Sequence, residues 1–286
     1  MTILEALVLG AVQGLTEFLP ISSTAHLRLV PALCGWDDPG AAISAVLQCG
    51  TLVAACAALR HDIARLAAGL WSGMRRGRPL AIGDSRLAIM IVVGTLPIVV
   101  IGFAARHLIR GEARQLGVVT AALLAGTLLM AVAELSRALR RRPGRDGLDR
   151  VDVRDGIVMG FVQSLALVPG MSRSGVTISS GMLTGLDRTT AARLSFLLSL
   201  PAVAAAAVLE AWQQRAEIFG STATATTAAI GVVTAAVVGY ASIRWLLRQL
   251  TGRTLWPFIC YRLALAAVLV ASLAAGGLQL AGSTAP

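Results

Sequence analysis

Apolar runs alternate along this chain with short polar breaks, and two of the breaks fall where a membrane-crossing helix has no room for them. The first apolar run, from about 3 to 19, rises only about 25 Å as a helix before Pro20, short of a hydrocarbon core of roughly 30 Å. The turn Pro20-Ile21-Ser22-Ser23-Thr24 leads to a second short run from about 25 to 33, which ends at the loop from Gly35 to Gly40. This pattern predicts a re-entrant helical hairpin, because a broken backbone at membrane depth is tolerated only under protein or beside a wet cavity. Full-length apolar segments follow at about 41 to 60, 86 to 107 and 115 to 137. An arginine-rich loop (Arg60, Arg65, Arg75, Arg76, Arg78, Arg86) separates the first two, and the most basic connection, from Arg137 to Arg154, closes this half.

The second half repeats the first. Gly160-Phe161-Val162-Gln163, followed by Pro169 and Ser172, echoes Gly10-Ala11-Val12-Gln13, followed by Pro20 and Ser22, at an offset of about 150 residues. Full-length segments recur at about 190 to 212, 224 to 247 and 255 to 281. An odd number of crossings per copy starts the second copy on the opposite side, so the repeat is expected to be inverted, and paired broken helices in inverted halves point to a central site. The expected fold is an all-α membrane protein with six full transmembrane helices plus two re-entrant helix hairpins. It forms one domain over residues 1–286, built of repeats at about 1–140 and about 150–286.

Composition agrees with the pattern. The chain is 56% hydrophobic and only 14% charged, where a soluble domain carries roughly 25% charge. All 25 basic residues are arginine, and they cluster between apolar runs without interleaved aromatics, as topology signals rather than as a nucleic-acid surface. The loops after residues 60, 137, 185 and 247 hold most of them, against Arg28, Arg106, Arg110, Arg114 and Arg215 on the other side. The positive-inside rule then places both termini outside. Cys34, Cys49, Cys56 and Cys260 form neither a redox pair nor a zinc pattern and are read as packing residues. Glu5 within the first apolar run and the lack of a basic leader argue against a cleaved signal peptide.

The breaks carry the chemistry. Gln13 and Glu17 stand four apart, hence on one helix face, with Glu17 a turn before Pro20. Ser22, Ser23 and Thr24 supply hydroxyls, and His26 opens the outgoing helix. In the second break, Pro169-Gly170-Met171-Ser172-Arg173-Ser174-Gly175, two glycines admit a ligand to the backbone and two hydroxyls flank one guanidinium fork. An arginine at bilayer depth costs about 3 kcal/mol even on lenient scales, so it is functional by default. Mutual neutralisation of Glu17 and Arg173, packing by His26, and helix capping by Ser172 and Ser174 are the structural alternatives. Arg262, inside the last segment, is expected to pair with Glu134 or Glu210, while His61 and His107 sit at segment ends as interfacial residues. A carboxylate, a histidine, hydroxyls, an arginine fork and a helix N-terminus together suit phosphoryl transfer or phosphate-ester cleavage. A site inside a membrane suits an amphiphile with a diphosphate head. A lipid-phosphate flippase or transporter is the alternative on the same scaffold, although binding alone does not need Glu17, Ser23 and His26.

The segment from Gly10 to His26, GAVQGLTEFLPISSTAH, and the segment from Pro169 to Gly175, PGMSRSG, resemble the two motifs of the undecaprenyl-diphosphate phosphatase family, the bacitracin-resistance type of membrane phosphatase. The resemblance covers essentially the whole chain. It implies hydrolysis of the C55 prenyl diphosphate to its monophosphate, at a site opening to the periplasmic face of the bacterial inner membrane. It also implies a divalent cation, Mg2+ or Ca2+, with Glu17 and Gln13 as the metal pair. Glu17, His26, Ser23 and Arg173 would be catalytic, with the nucleophile left open between His26, Ser23 and water. Gln13, Ser22, Thr24, Gly170, Ser172, Arg173, Ser174 and Thr177 would bind substrate. The partners implied are the lipid substrate and membrane lipid, with a homodimer left open and no nucleic acid. Two departures stand out: Gln13 replaces a common second glutamate, and Ala25 replaces the usual glycine before the histidine.

Overall fold

The computed structural model describes residues 1–37, 40–105, 108, 115–140, 142–213 and 222–274, without the side chains of 41, 42, 210–213, 222–224 and 272. Arg106, His107, Arg110, Arg114, Arg141 and Arg215, and the side chain of Glu210, therefore lie outside the described residues. The described elements are all helices, with no strand among the described residues beyond an isolated bridge between Arg145 and Leu186.

Helix α1 (Ile3–Phe18) starts in a capping box between Thr2 and Glu5, and α2 (Ser23–Cys34) follows the Pro20 turn. Helices α3 (Gly40–Ala58) and α4 (Arg60–Arg75) meet at a 75° bend, and α5 (Gly83–Ala104) and α6 (Leu116–Leu139) complete the first half. In the second half α7 (Val153–Val162) runs into a 3-10 turn (Gln163–Leu167), and α8 (Arg173–Thr184) follows its own break. Helices α9 (Arg188–Gln213), α10 (Thr222–Leu250) and α11 (Trp256–Ala274) end the described chain.

Helices α5, α6, α9 and α10 are each long and apolar enough to cross a bilayer. Of the other two segments expected to cross, α3 reaches that length only together with α4, and the apolar stretch of α11 over Trp256–Ala271 is shorter. Residues 275–281, which the sequence assigns to the last segment, lie outside the described residues. The expected arginine-rich loop is in fact largely α4. Its Leu66 and Gly73 turn inward, its arginines turn outward, and Asp62 reaches Arg193 of α9 at 2.6 Å, so the run is an amphipathic helix rather than a loop. On α5, Val92, Leu96, Val100 and Phe103 face outward uncovered, as a lipid-facing surface does.

The two halves interlock through small residues. Helix α1 packs on α10 of the other half, where Gly10 and Gly14 leave no room for a Cβ: one at Gly14 would lie 2.7 Å from the Ala235 carbonyl oxygen. Helix α7 packs on α5 in the same manner, and a Cβ at Gly160 would lie 2.6 Å from the Gly94 carbonyl oxygen. Small residues spaced by four let membrane helices approach at backbone distance, where dispersion is strongest. Both hairpins are thereby seated in the middle of the bundle, and α3 with α9, and α6 with α11, pack across between the halves.

Candidate active site

Each hairpin turn places a serine in a conformation that serine avoids. Ser22 and Ser172, the residues just ahead of α2 and α8, have φ of 75° and 69° and are the non-glycine residues with positive φ among those described. Such a backbone costs about 1–3 kcal/mol and persists only where surrounding contacts impose it. Here the imposing contacts run between the turns: Gly170 N donates to Thr24 Oγ1 at 3.1 Å, and Ser174 Oγ donates to the Leu19 carbonyl at 3.1 Å. The left-handed conformation belongs to Ser22, and Ala25 lies inside α2, so the missing glycine at 25 is not needed. Gly170, with φ of 99°, sits against the Val119 backbone, where a Cβ has no space.

With the turns joined, Glu17 becomes the hub. One carboxylate oxygen accepts from Arg173 Nη2 at 2.6 Å, and the other accepts from Ser23 Oγ at 2.8 Å and from Gln13 Nε2 at 3.1 Å. Glu17 and Arg173 are both largely buried, where an ion pair cannot lose one partner without stranding the other. Arg173 is also the first residue of α8, and Ser23 the first of α2, so two helix N-termini converge here with their free N–H groups. Arg173 Nη1 reaches the Ser199 carbonyl at 3.5 Å.

A cavity of about 160 Å³ opens over this hub. Its polar wall is Thr16, Glu17, Ser22, Ser23, Thr24, Gln48, Ser172 and Arg173, and its apolar wall is Ile98, Ala166, Ala202, Val203 and Ala206. A polar floor with one apolar side matches an amphiphile whose head is anionic.

The site residues read from the sequence divide accordingly. Glu17, Ser22, Ser23, Thr24, Ser172 and Arg173 line the cavity, and Gln13 stands behind Glu17. Ser174 and Gly170 join the turns rather than lining the cavity. Thr177 donates to the Arg173 carbonyl at 2.7 Å and meets Ser195 Oγ, so its hydroxyl is spent on α8 and α9. His26 lies outside the cavity lining. Its Nδ1 donates to the Ser22 carbonyl at 2.8 Å, which leaves Nε2 to accept the Tyr261 hydroxyl at 2.5 Å. Gln48, on α3, carries no signal in the sequence because it is a lone polar side chain in an apolar run, and Tyr261, on α11, stands beside Arg262 with nothing in the sequence that ties it to His26.

Two further expectations need correction or placement. Arg262 pairs with neither Glu134 nor any other described carboxylate; Glu134 instead takes a bidentate contact from Arg188, and the Leu255 N–H. Arg188 competes better because its fork meets both carboxylate oxygens from the start of α9. His61 is exposed at the start of α4, as an interfacial residue would be, and Cys34, Cys56 and Cys260 are exposed while Cys49 is half-buried. These cysteines are free.

Over 280 residues the chain is 46% identical to an undecaprenyl-diphosphatase of Chlorobaculum tepidum, covering 97% of this chain and 99% of that protein. It is 44% identical over 281 residues to the undecaprenyl-diphosphatase of Chlorobium phaeobacteroides strain BS1, and 45% over 281 residues to that of Chlorobaculum parvum, each covering 98% of this chain and 100% of the relative. The family model described as bacitracin resistance protein BacA matches residues 6–268, a span that contains both hairpins and every residue of the hub. With the family model matching residues 6–268 and these relatives covering nearly the full length, the chain belongs to the bacitracin resistance protein BacA family.

Proposed function

We propose that the protein hydrolyses undecaprenyl diphosphate to undecaprenyl phosphate and inorganic phosphate, returning the lipid carrier of cell-wall synthesis to use. The observation that carries this reading is Glu17, which holds Ser23 on one oxygen and Arg173 on the other where two helix N-termini meet. A hydroxyl hydrogen-bonded to a carboxylate is a nucleophile beside its base, and a guanidinium at a helix N-terminus is a diphosphate clamp. The name shared by the relatives, undecaprenyl-diphosphatase, points the same way.

An arriving diphosphate competes with Glu17 for Arg173. Its oxygens take the guanidinium and the N–H groups of α2 and α8, and Glu17 is left as a base facing Ser23. Ser23 Oγ attacks the terminal phosphorus while its proton passes to Glu17, and the bond to the bridging oxygen breaks. Undecaprenyl phosphate departs with that proton. Glu17 then takes a proton from a water as that water attacks the seryl phosphate, and returns it to Ser23 Oγ as the P–O bond breaks and inorganic phosphate leaves. Arg173 and the helix termini bear the charge that develops on the equatorial oxygens. His26, engaged by Tyr261 and the Ser22 carbonyl, holds the first turn of α2 in place for Ser23.

A divalent cation, magnesium or calcium, fits this donor set. The buried amide oxygen of Gln13 lacks a hydrogen-bond partner while its amide nitrogen touches Glu17, and hard cations take a few protein oxygens together with substrate phosphates. Glu17 and Gln13 would hold such an ion, which when bound offsets phosphate charge.

The same reading gives the architecture as six crossing segments and two re-entrant hairpins in one domain of two inverted repeats, at about 1–140 and 150–286. The site faces the periplasm, with both termini on that side of the plasma membrane. Supporting it are the matched lengths and left-handed terminal glycines of α2 and α8, the crossed packing of α1 on α10 and α7 on α5, and the arginines of α4 and the 137–154 connection. Purified protein given C55 diphosphate in detergent should release phosphate, lose that activity under a chelator, and fall about 10³-fold in Glu17→Ala. Release indifferent to both treatments would sink the reading.

A further inference from the structure

Arg262 lies in the second turn of α11 with 0% exposure, the largest of the fully buried side chains described. Among the described residues it has no carboxylate partner, and all its contacts are to neutral oxygens. Nε donates to Thr127 Oγ1 at 2.7 Å and Nη2 to the Leu123 carbonyl at 2.8 Å, which anchors the guanidinium on α6. The remaining contacts go to the two hairpin turns: Nη2 to the carbonyls of Met171 at 3.2 Å and Gly170 at 3.4 Å, and Nη1 to the carbonyl of Pro20 at 3.4 Å. These carbonyls stand one or two residues ahead of the strained residues Ser22 and Ser172. Gly126 keeps the space open, since a Cβ there would lie 2.7 Å from Arg262 Nη2 and 2.5 Å from the Met171 carbonyl oxygen.

A buried cation without a counterion is an expensive way to fill a core, and an apolar side chain would do that more cheaply. Its use lies in the shape of its contacts. A planar fork with five donors can gather carbonyls from two turns and a third helix at once, which an ammonium cannot. We infer that Arg262 is a positioning residue: it buckles the two turns together, and so sets the Ser23 and Glu17 half of the site against the phosphate held by the Arg173 half. The inference rests on the phosphatase reading above.

The test uses the full chain in detergent, with Arg262→Lys, Arg262→Met and Thr127→Val compared per folded molecule. A displacement near 1 Å costs about 100-fold in rate, so kcat should fall about 100-fold in Arg262→Met, about 10-fold in Arg262→Lys and a few-fold in Thr127→Val. Affinity for a methylene-bridged prenyl diphosphonate, which the Arg173 half holds, should stay within about threefold of wild type in the same variants. Reduced thermal stability with unchanged kcat would assign Arg262 to the scaffold alone and overturn the inference, as would equal losses of analogue affinity and kcat. Should Arg262→Met fail to fold, unchanged kcat in both Arg262→Lys and Thr127→Val overturns it. A wild type that binds the analogue but releases no phosphate from the diphosphate would instead sink the phosphatase reading.

Discussion

Helices α2 and α8 are each 12 residues long, each follows a serine with positive φ, and each ends on a left-handed glycine, Gly35 or Gly185. At equivalent positions, however, the first hairpin has Glu17 and Ser23 where the second has Leu167 and Arg173. The buried glutamines diverge with them: Gln13 donates to Glu17, whereas Gln163 donates to the Gly94 carbonyl at 2.9 Å. The far ends differ too. The C-terminal carbonyls of α8 are covered by Arg140 on Met182 and Leu183 and by Arg145 on Thr184, while Arg145 is itself held by Asp152 and Asp155. In the proposed mechanism one backbone device thus serves two tasks, acid–base chemistry at the first turn and anion holding at the second. On that proposal neither hairpin would suffice alone, because Glu17 and Arg173 are on different hairpins.

The largest expected effect comes from erasing the difference. Arg173→Ser makes the second turn chemically like the first, and loss of the clamp should lower kcat/KM by about 10³-fold or more while stranding the charge of Glu17. Steady-state phosphate release measures this, and a loss below tenfold would mean that the second hairpin does not hold the diphosphate. A smaller effect tests whether His26 belongs to the chemistry or to the support. Tyr261→Phe and His26→Phe should each cost about tenfold in kcat, since misplacing α2 is cheaper than removing a reacting group. A loss of 10³-fold or more in His26→Phe alone would make His26 a reacting group.

The smallest effect distinguishes the two strained serines. Ser172 Oγ accepts the Gly175 N–H at 3.3 Å, but Ser22 makes no such cap. Glycine relieves the strain at both positions, so Ser22→Gly should stabilise by about 1 kcal/mol, whereas Ser172→Gly loses a cap of similar worth and should change stability little. Thermal midpoints in detergent read the difference, and equal shifts would mean that the cap at Ser172 contributes nothing.

Much of the fold and of the site is legible in the chain. A proline and hydroxyls breaking an apolar run mark a turn wherever they occur, so the residues alone point to both hairpins and to the partnership of Glu17 with Arg173. A buried ion needs a counterion, and few are available. What the chain does not reveal is what depends on distant packing. By charge alone Arg262 requires an acid, but carbonyls freed by two broken helices satisfy it instead. His26 looks chemical because of its neighbours in sequence, yet its partner Tyr261 lies 235 residues away. Thr177 sits one turn from Arg173, but its hydroxyl is drawn back to the helix backbone. The arginines between α3 and α5 mark a polar connection without revealing that Leu66 and Gly73 give it an inward helical face.

The claim that Ser23 of the first hairpin attacks a diphosphate held by Arg173 of the second is tested most directly by rapid quench with C55 diphosphate labelled in its terminal phosphate. The account predicts a burst of enzyme-bound label that is stable to acid, labile to base, and located on the peptide containing Ser23. It should vanish in Ser23→Ala and persist in His26→Phe. Acid-labile label on His26, or full turnover with no label on the protein at any time, would contradict it.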